Sequence, residues 1–157
     1  MKKILILCFA LAATACTIHQ EVQPLAYNQE LEQKVCIVDN PDVKEGFVEA
    51  YRSSLEQKGF AVEALEEGAS LSSCDLTSTY TANWLWDMAL YMAYAEIKVY
   101  QEATPVAEAV YDSRRGGANM NKFIDAEAKV DELVDLLFPW PAVADAKSES
   151  EPESTAN

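Results

Sequence analysis

The stretch from Cys74 to Arg115 restricts this chain more than any other. Within it the run Tyr80 to Tyr111 (YTANWLWDMALYMAYAEIKVYQEATPVAEAVY) is crowded with β-branched and aromatic residues and nearly free of helix breakers. Such residues suit a pleated, half-buried surface, so the run predicts an antiparallel meander that floors a domain. From Glu96 onward Ile97 and Val99 alternate with Glu96, Lys98 and Tyr100, the pattern of a strand with one wet face. From Met88 to Ala95 both alternating faces are apolar, which predicts burial on both sides. Cys74 to Asn83 alternates too, with Cys74, Leu76, Ser78, Tyr80 and Ala82 on one face. Gln101 to Pro105 (QEATP) reads as a hairpin turn between two alternating runs. Trp84-Leu85-Trp86-Asp87 contains neither Gly nor Pro, so the turn into the next strand has no marker.

The elements around the meander complete a fold class. Lys34 to Asp39 (KVCIVD) is a short β-branched run, hence a buried strand, and Asn40-Pro41 predicts the start of a helix. Val43, Phe47, Tyr51 and Leu55 recur every fourth residue until Lys58-Gly59 stops the helix. Phe60 to Leu65 is a second strand, followed by the polar loop Glu66 to Ser73. A closing helix from about Asn121 carries Phe123, Ala126, Val130, Val134 and Leu137 on its apolar stripe, with Asp125, Lys129 and Glu132 turned to water, and Pro139 ends it. The order is strand, helix, strand, three meander strands, helix. It predicts a two-layer α+β sandwich: a mixed, mostly antiparallel sheet of about five strands with both helices on one face. The domain spans 34–139, and the acidic, low-complexity segment 140–157 reads as a disordered tail.

The N-terminus reads as an address. Lys2 and Lys3 precede an apolar core, Ile4 to Ala12, too short to span a bilayer, and then come the small residues Ala13, Thr14 and Ala15 before Cys16. Ala13-Thr14-Ala15-Cys16 resembles the lipobox of bacterial lipoproteins, with Ala13 where that family usually carries Leu. The resemblance implies a signal peptide over 1–15, lipid on Cys16, and, with Thr17 rather than Asp following, the periplasmic leaflet of a Gram-negative outer membrane. The alternative is ordinary secretory cleavage after Ala15, leaving Cys16 as a free thiol. Residues 17–33, polar and broken by Pro24, read as a tether between anchor and domain. With Cys8 leaving in the signal and Cys16 lipidated, Cys36 and Cys74 remain as an even pair in an oxidising compartment and are expected to be bonded; the alternative is two buried, inert thiols.

Charge and chemistry exclude several functions. The chain of 157 residues has a formal net charge of −14, and losing Lys2 and Lys3 makes the mature chain −16, which opposes nucleic acid or anionic lipid headgroups as a broad electrostatic partner. The single His19 lies in the expected tether, so no histidine-centred catalytic or metal site is expected, and neither a metal nor another cofactor is called for. Three features are candidates for function. Trp84, Trp86 and Tyr91, within a larger aromatic set that includes Tyr80, Tyr94, Tyr100 and Tyr111, make either a platform for an amphiphile or partner protein or cross-strand core pairs. Arg114 and Arg115, before Gly116-Gly117, bind an anion or pair with Asp87, Asp112 or Asp125 to order the loop. The carboxylates Asp39, Asp87, Asp112 and Asp125 are solvated surface charges, or two of them serve a small hydrolase or transferase acting on cell-wall material.

The runs Tyr80 to Tyr91, Ala95 to Tyr100, Tyr111 to Gly117 (YDSRRGG) and Lys122 to Glu127 resemble a family of small uncharacterised lipoproteins of Gram-negative bacteria, over roughly Val35 to Pro139. That family has no established activity, so the resemblance implies a surface-tethered accessory role and no catalytic residues. The element order is also similar to that of envelope lipoproteins that assist lipid or lipopolysaccharide transport. The expectation is a lipid-anchored, non-enzymatic module that binds an envelope protein or an amphiphile.

Overall fold

The computed structural model describes residues 17–26 and 33–139. In chain order its elements are β1 (His19–Gln23), β2 (Lys34–Val38), α1 (Glu45–Gln57), β3 (Ala61–Leu65), β4 (Leu76–Asp87), β5 (Ala89–Gln101), β6 (Thr104–Asp112), a 3₁₀ turn (Met120–Phe123) and α2 (Ala126–Leu137). Among the described residues the strands form one six-stranded mixed sheet in the order β1-β6-β5-β4-β2-β3. Strand β2 runs parallel to β3 and β4, and the other pairs are antiparallel. The chain is α+β, a sheet with helices packed on one face. The expected signal peptide, Cys16 and the tail from residue 140 lie outside the described residues.

One strand more is present than the sequence suggested. β1 falls within the segment read as a tether, and it closes the outer edge of β6 with His19 opposite Asp112 and Gln23 opposite Glu108. Its sequence, HQEVQ, contains one apolar residue, Val22, which packs against the core, so as an edge strand it has almost no hydrophobic pattern to announce it. Beyond it, Leu25 is buried and its N–H donates to the Leu137 carbonyl at 2.9 Å. The segment 17–26 therefore belongs to the domain.

Both helices begin later than the sequence implied. The Asn40 side chain accepts from the Asp42 N–H at 3.1 Å and donates to the Tyr80 carbonyl at 2.9 Å, so it builds a turn tied to β4 and α1 starts only at Glu45. Asn119 caps the 3₁₀ turn through the Asn121 N–H, and Asp125 caps α2 through the Ala128 N–H. Each short polar side chain offers a separate start, which splits the expected helix in two. Lys129, expected in water, is buried, with its Nζ 2.5 Å from Glu132 Oε2 and 3.1 Å from Gln20 Oε1. The long side chain lies under β1 and brings its charge to the rim.

The core lies between the helices and the sheet. Phe47, Tyr51 and Leu55 of α1 and Val130, Leu133, Val134 and Leu137 of α2 pack onto the face formed by Ile97, Val99, Ala107, Ala109 and Tyr111. Tyr51 is fully buried, its hydroxyl 2.7 Å from Ser78 Oγ, and burial pushes its pKa well above the usual tyrosine value. The opposite face carries half-exposed Thr79, Glu96, Lys98 and Glu108, the alternation predicted from Glu96 onward. Cys36 and Cys74 are joined by a disulfide with Cα atoms 6.1 Å apart, Cys36 buried within β2 and Cys74 in the loop before β4.

The expected burial of Met88 to Ala95 on both sides is corrected. Tyr91, Met92 and Ala93 are buried, but Met88, Ala89 and Leu90 are exposed. The chain reverses at Met88 with φ 61°, and β4 pairs with β5 out to Asp87 opposite Ala89. A continuous apolar run is equally compatible with a buried strand and with a hairpin whose apolar tip leaves the domain. The β5–β6 hairpin turns as its sequence suggested, through Glu102 and Ala103, both at positive φ, the twist-matched two-residue turn.

Candidate functional site

Strand polarity brings most of the singled-out residues to one end of the sheet. His19 at the start of β1 is level with Asp112 at the end of β6, Asp112 with Tyr94 on β5, and Tyr94 with Asn83 on β4. Past that level the β4–β5 hairpin continues alone. Its ladder shifts register between Asn83 and Trp84 because Ala93 has no partner on β4, a bulge of the kind that re-aims a strand. Ser113 fills the gap left in the ladder: its N–H donates to the Ala93 carbonyl at 2.8 Å, and its hydroxyl lies 3.3 Å from the carbonyls of Met92 and Ala93.

The YDSRRGG run is the clamp on this end. Arg114 grips Asp112 through Nε at 2.9 Å and Nη2 at 2.5 Å, and its guanidinium lies 4.5 Å from the centre of the Tyr94 ring. Hydrogen bonds from Arg114 hold the Asp112 carboxyl below the usual range. Tyr94 donates to Glu96 at 2.7 Å, and desolvation, with that bond to a carboxylate, pushes its pKa up to about 12. Gly116 turns the loop back, its N–H on the Ser113 carbonyl at 2.8 Å; a Cβ there would come within 2.9 Å of that same oxygen, so only glycine fits. Arg114 is thus paired with Asp112, one of the partners that its sequence offered. Arg115 is exposed, and with Thr17, His19, Asp112 and Arg114 it lines an open depression of about 530 Å³.

The aromatic residues divide. Tyr80 is core, stacked on Phe47 with ring centres 5.5 Å apart. Tyr91 is buried and meets the edge of Phe123 at 5.4 Å. Trp84 is half-buried with Lys44 Nζ 5.0 Å from its ring centre, beside a groove also lined by Phe47 and Val130. Trp86 is exposed. Sequence reasoning singled out Trp86, exposed at 74%, but missed the residues that complete the tip with it: Leu85 at 44% exposure, Met88 at 78% and Leu90 at 56%. It also missed Lys122. This buried lysine sends its Nζ 2.5 Å from both Asp87 Oδ2 and the Gly117 carbonyl, and 5.4 Å from the Tyr91 ring centre. The only available signal was the unmarked turn into the next strand at Trp84-Leu85-Trp86-Asp87, which placed three bulky apolar residues where a hairpin normally has polar ones.

The carboxylates singled out for chemistry each have a separate structural partner. Asp39 accepts from the Tyr80 hydroxyl at 3.2 Å, Asp87 pairs with Lys122, Asp112 with Arg114, and Asp125 caps α2. The Sγ atoms of Cys36 and Cys74 and a Glu63 carboxylate oxygen lie within 4.8 Å of one another, but the disulfide occupies both sulfurs and Glu63 faces Lys34 at 2.6 Å.

No protein-family model matches the chain, and no curated protein sequence does. Solved structures do. The chain is similar to PelC from Paraburkholderia phytofirmans, described as a dodecamer, at 10% identity and a TM-score of 0.55, over 81% of this chain and 100% of that one. A point variant of the same PelC dodecamer matches at 11% identity and 0.52, over 77% and 97%. At such identity the likeness establishes a shared fold.

Proposed function

We propose that this chain is a lipid-anchored envelope lipoprotein, held in the periplasmic leaflet of the outer membrane through Cys16, that acts by binding an envelope protein or an amphiphile rather than by catalysis. One contrast carries the reading. At the end of the sheet where the candidate residues gather, Asp87, Asp112, Arg114 and Lys122 are committed to one another, while Trp86, Met88 and Leu90 are left in solvent. Ionic groups in mutual pairs serve order, and large exposed apolar side chains serve contact. The lipobox-like run Ala13-Thr14-Ala15-Cys16 after a short apolar core supports an anchor. The likeness to a protein described as a dodecamer supports a role exercised through association.

Photo-crosslinking in living cells from positions 84 and 115 tests this reading. Capture of a discrete envelope protein or amphiphile by the membrane-associated chain is the expected result. Purified chain that turns over cell-wall material, with turnover abolished by Asp87→Asn at unchanged melting temperature, would overturn it.

A further inference from the structure

The β4–β5 tip exposes four large apolar side chains, Leu85, Trp86, Met88 and Leu90, beside the single carboxylate of Asp87. Beyond Asn83 and Tyr94, Trp84 faces Met92 and Trp86 faces Leu90 across the hairpin, Leu85 faces Tyr91, and Met88 sits at the apex. Alternation puts Trp86 and Leu90 on one side of the ribbon and Leu85 on the other. A docking site for a folded partner would present one side. This tip exposes apolar side chains on both sides and at its apex, and the one charge between Trp84 and Tyr91, Asp87, stays exposed but is neutralised by the buried Lys122.

The strand register also fixes where the tip points relative to the chain's start. β1 begins at His19, level with Asn83 and Tyr94, and runs away from the tip, so the residues before it leave the sheet at the end from which the hairpin projects. Trp84 to Asp87, at about 3.3 Å per residue, carry the tip roughly 13 Å past that level. Cys16 to His19 spans at most about 10 Å. The two reaches are similar. Acyl chains on Cys16 would therefore enter a leaflet from the side of the domain that the tip already faces.

From this we propose that the hairpin tip, Leu85, Trp86, Met88 and Leu90, inserts into the interfacial zone of the same phospholipid leaflet that holds the lipid on Cys16. The insertion makes a second membrane contact that fixes the domain's orientation. It rests on the reading of Cys16 as lipid-bearing, and it names the amphiphile that this end of the molecule meets. A tryptophan suits such a position, with its ring body in the acyl boundary and its N–H in the headgroups. Insertion is driven by apolar area and needs no cationic patch, which agrees with a tip whose only ionic pair is internal. Arg115 and His19, lining the depression beside the anchor, then face the headgroups.

The test uses the mature full chain purified from membranes, with Trp84→Phe and Trp140→Phe leaving Trp86 as the single fluorophore, reconstituted in phosphatidylcholine vesicles carrying bromines at known depths. Intact mass establishes beforehand whether Cys16 is acylated. In acylated protein the Trp86 emission is expected to shift to the blue and to be quenched most by shallow bromines. In the same background Met88→Gly combined with Leu90→Ser, which keeps the turn and removes apolar area, loses most of that quenching at an unchanged melting temperature. Acylated protein whose Trp86 emits as in water, unquenched, would overturn the proposal and leave the anchor standing. Blue-shifted but unquenched emission, with cross-linking between position 86 of two chains, would overturn it in favour of a self-interface. If Cys16 carries no lipid, the vesicles are added to the soluble chain: quenching then supports tip insertion without an anchor, and its absence rejects insertion.

Discussion

Removing the disulfide should lower stability by an amount that its place in the chain sets. Cys36 and Cys74 are separated by 38 residues, and the closed loop contains all of α1 and β3. For a loop of that length the chain-entropy model gives about 4 kcal/mol, an upper value because the reduced unfolded chain keeps some compactness. At about 2.1 cal/mol/K per residue for a domain of about 115 residues, each kcal/mol moves the midpoint about 4 °C, so reduction should lower Tm by about 8–15 °C. The variants separate two effects. Cys74→Ala breaks the bond at a half-exposed site, while Cys36→Ala also truncates a fully buried side chain, which adds about 1 kcal/mol. The double variant should match Cys36→Ala rather than the sum of the two, the mark of a shared interaction. Calorimetry of the oxidised, reduced and variant chains reads all of this. A Tm unchanged by reductant, or strictly additive single variants, would refute the reasoning.

Three further outcomes follow from the geometry. Gly116→Ala should destabilise by about 1–3 kcal/mol in denaturant melts, because the new Cβ meets the Ser113 carbonyl at 2.9 Å and backbone must move. Tyr111→Phe should be neutral or stabilising by up to about 1 kcal/mol, since the buried Tyr111 hydroxyl has no hydrogen-bond partner among the described residues; a loss above about 1 kcal/mol would reveal a hidden partner. In acid, Asp112 and Glu132, whose pKa values are lowered chiefly by hydrogen bonds from Arg114 and Lys129 respectively, contribute stability that is present above their unfolded values and lost as pH falls through the folded ones. Tm should therefore be flat from neutral pH to about 5 and fall below about 4, with a shallower fall in Asp112→Asn.

The meander was legible because its long β-branched and aromatic runs alternate over whole strands, and α1 because Phe47, Tyr51 and Leu55 share one stripe. β1 was not, because an edge strand facing solvent needs one apolar residue and HQEVQ supplies one. The helix starts slipped because Asn40, Asn119 and Asp125 are all competent to cap, and only tertiary contacts such as Asn40 with Tyr80 decide among them. The tip was hidden for a different reason: apolar residues alternate alike whether another element or a lipid leaflet covers them, and composition cannot say which. Lys122 and Ser113 act through long-range contacts, with Asp87 and with Ala93, that no local pattern encodes.

The most direct test of the account is the intact mass of the mature chain taken from the membrane fraction, with fragmentation of its N-terminal peptide. The account predicts a chain that begins at Cys16 and carries acyl groups on that residue. A chain that begins at Cys16 with an unmodified thiol and is recovered from the soluble periplasmic fraction would contradict it.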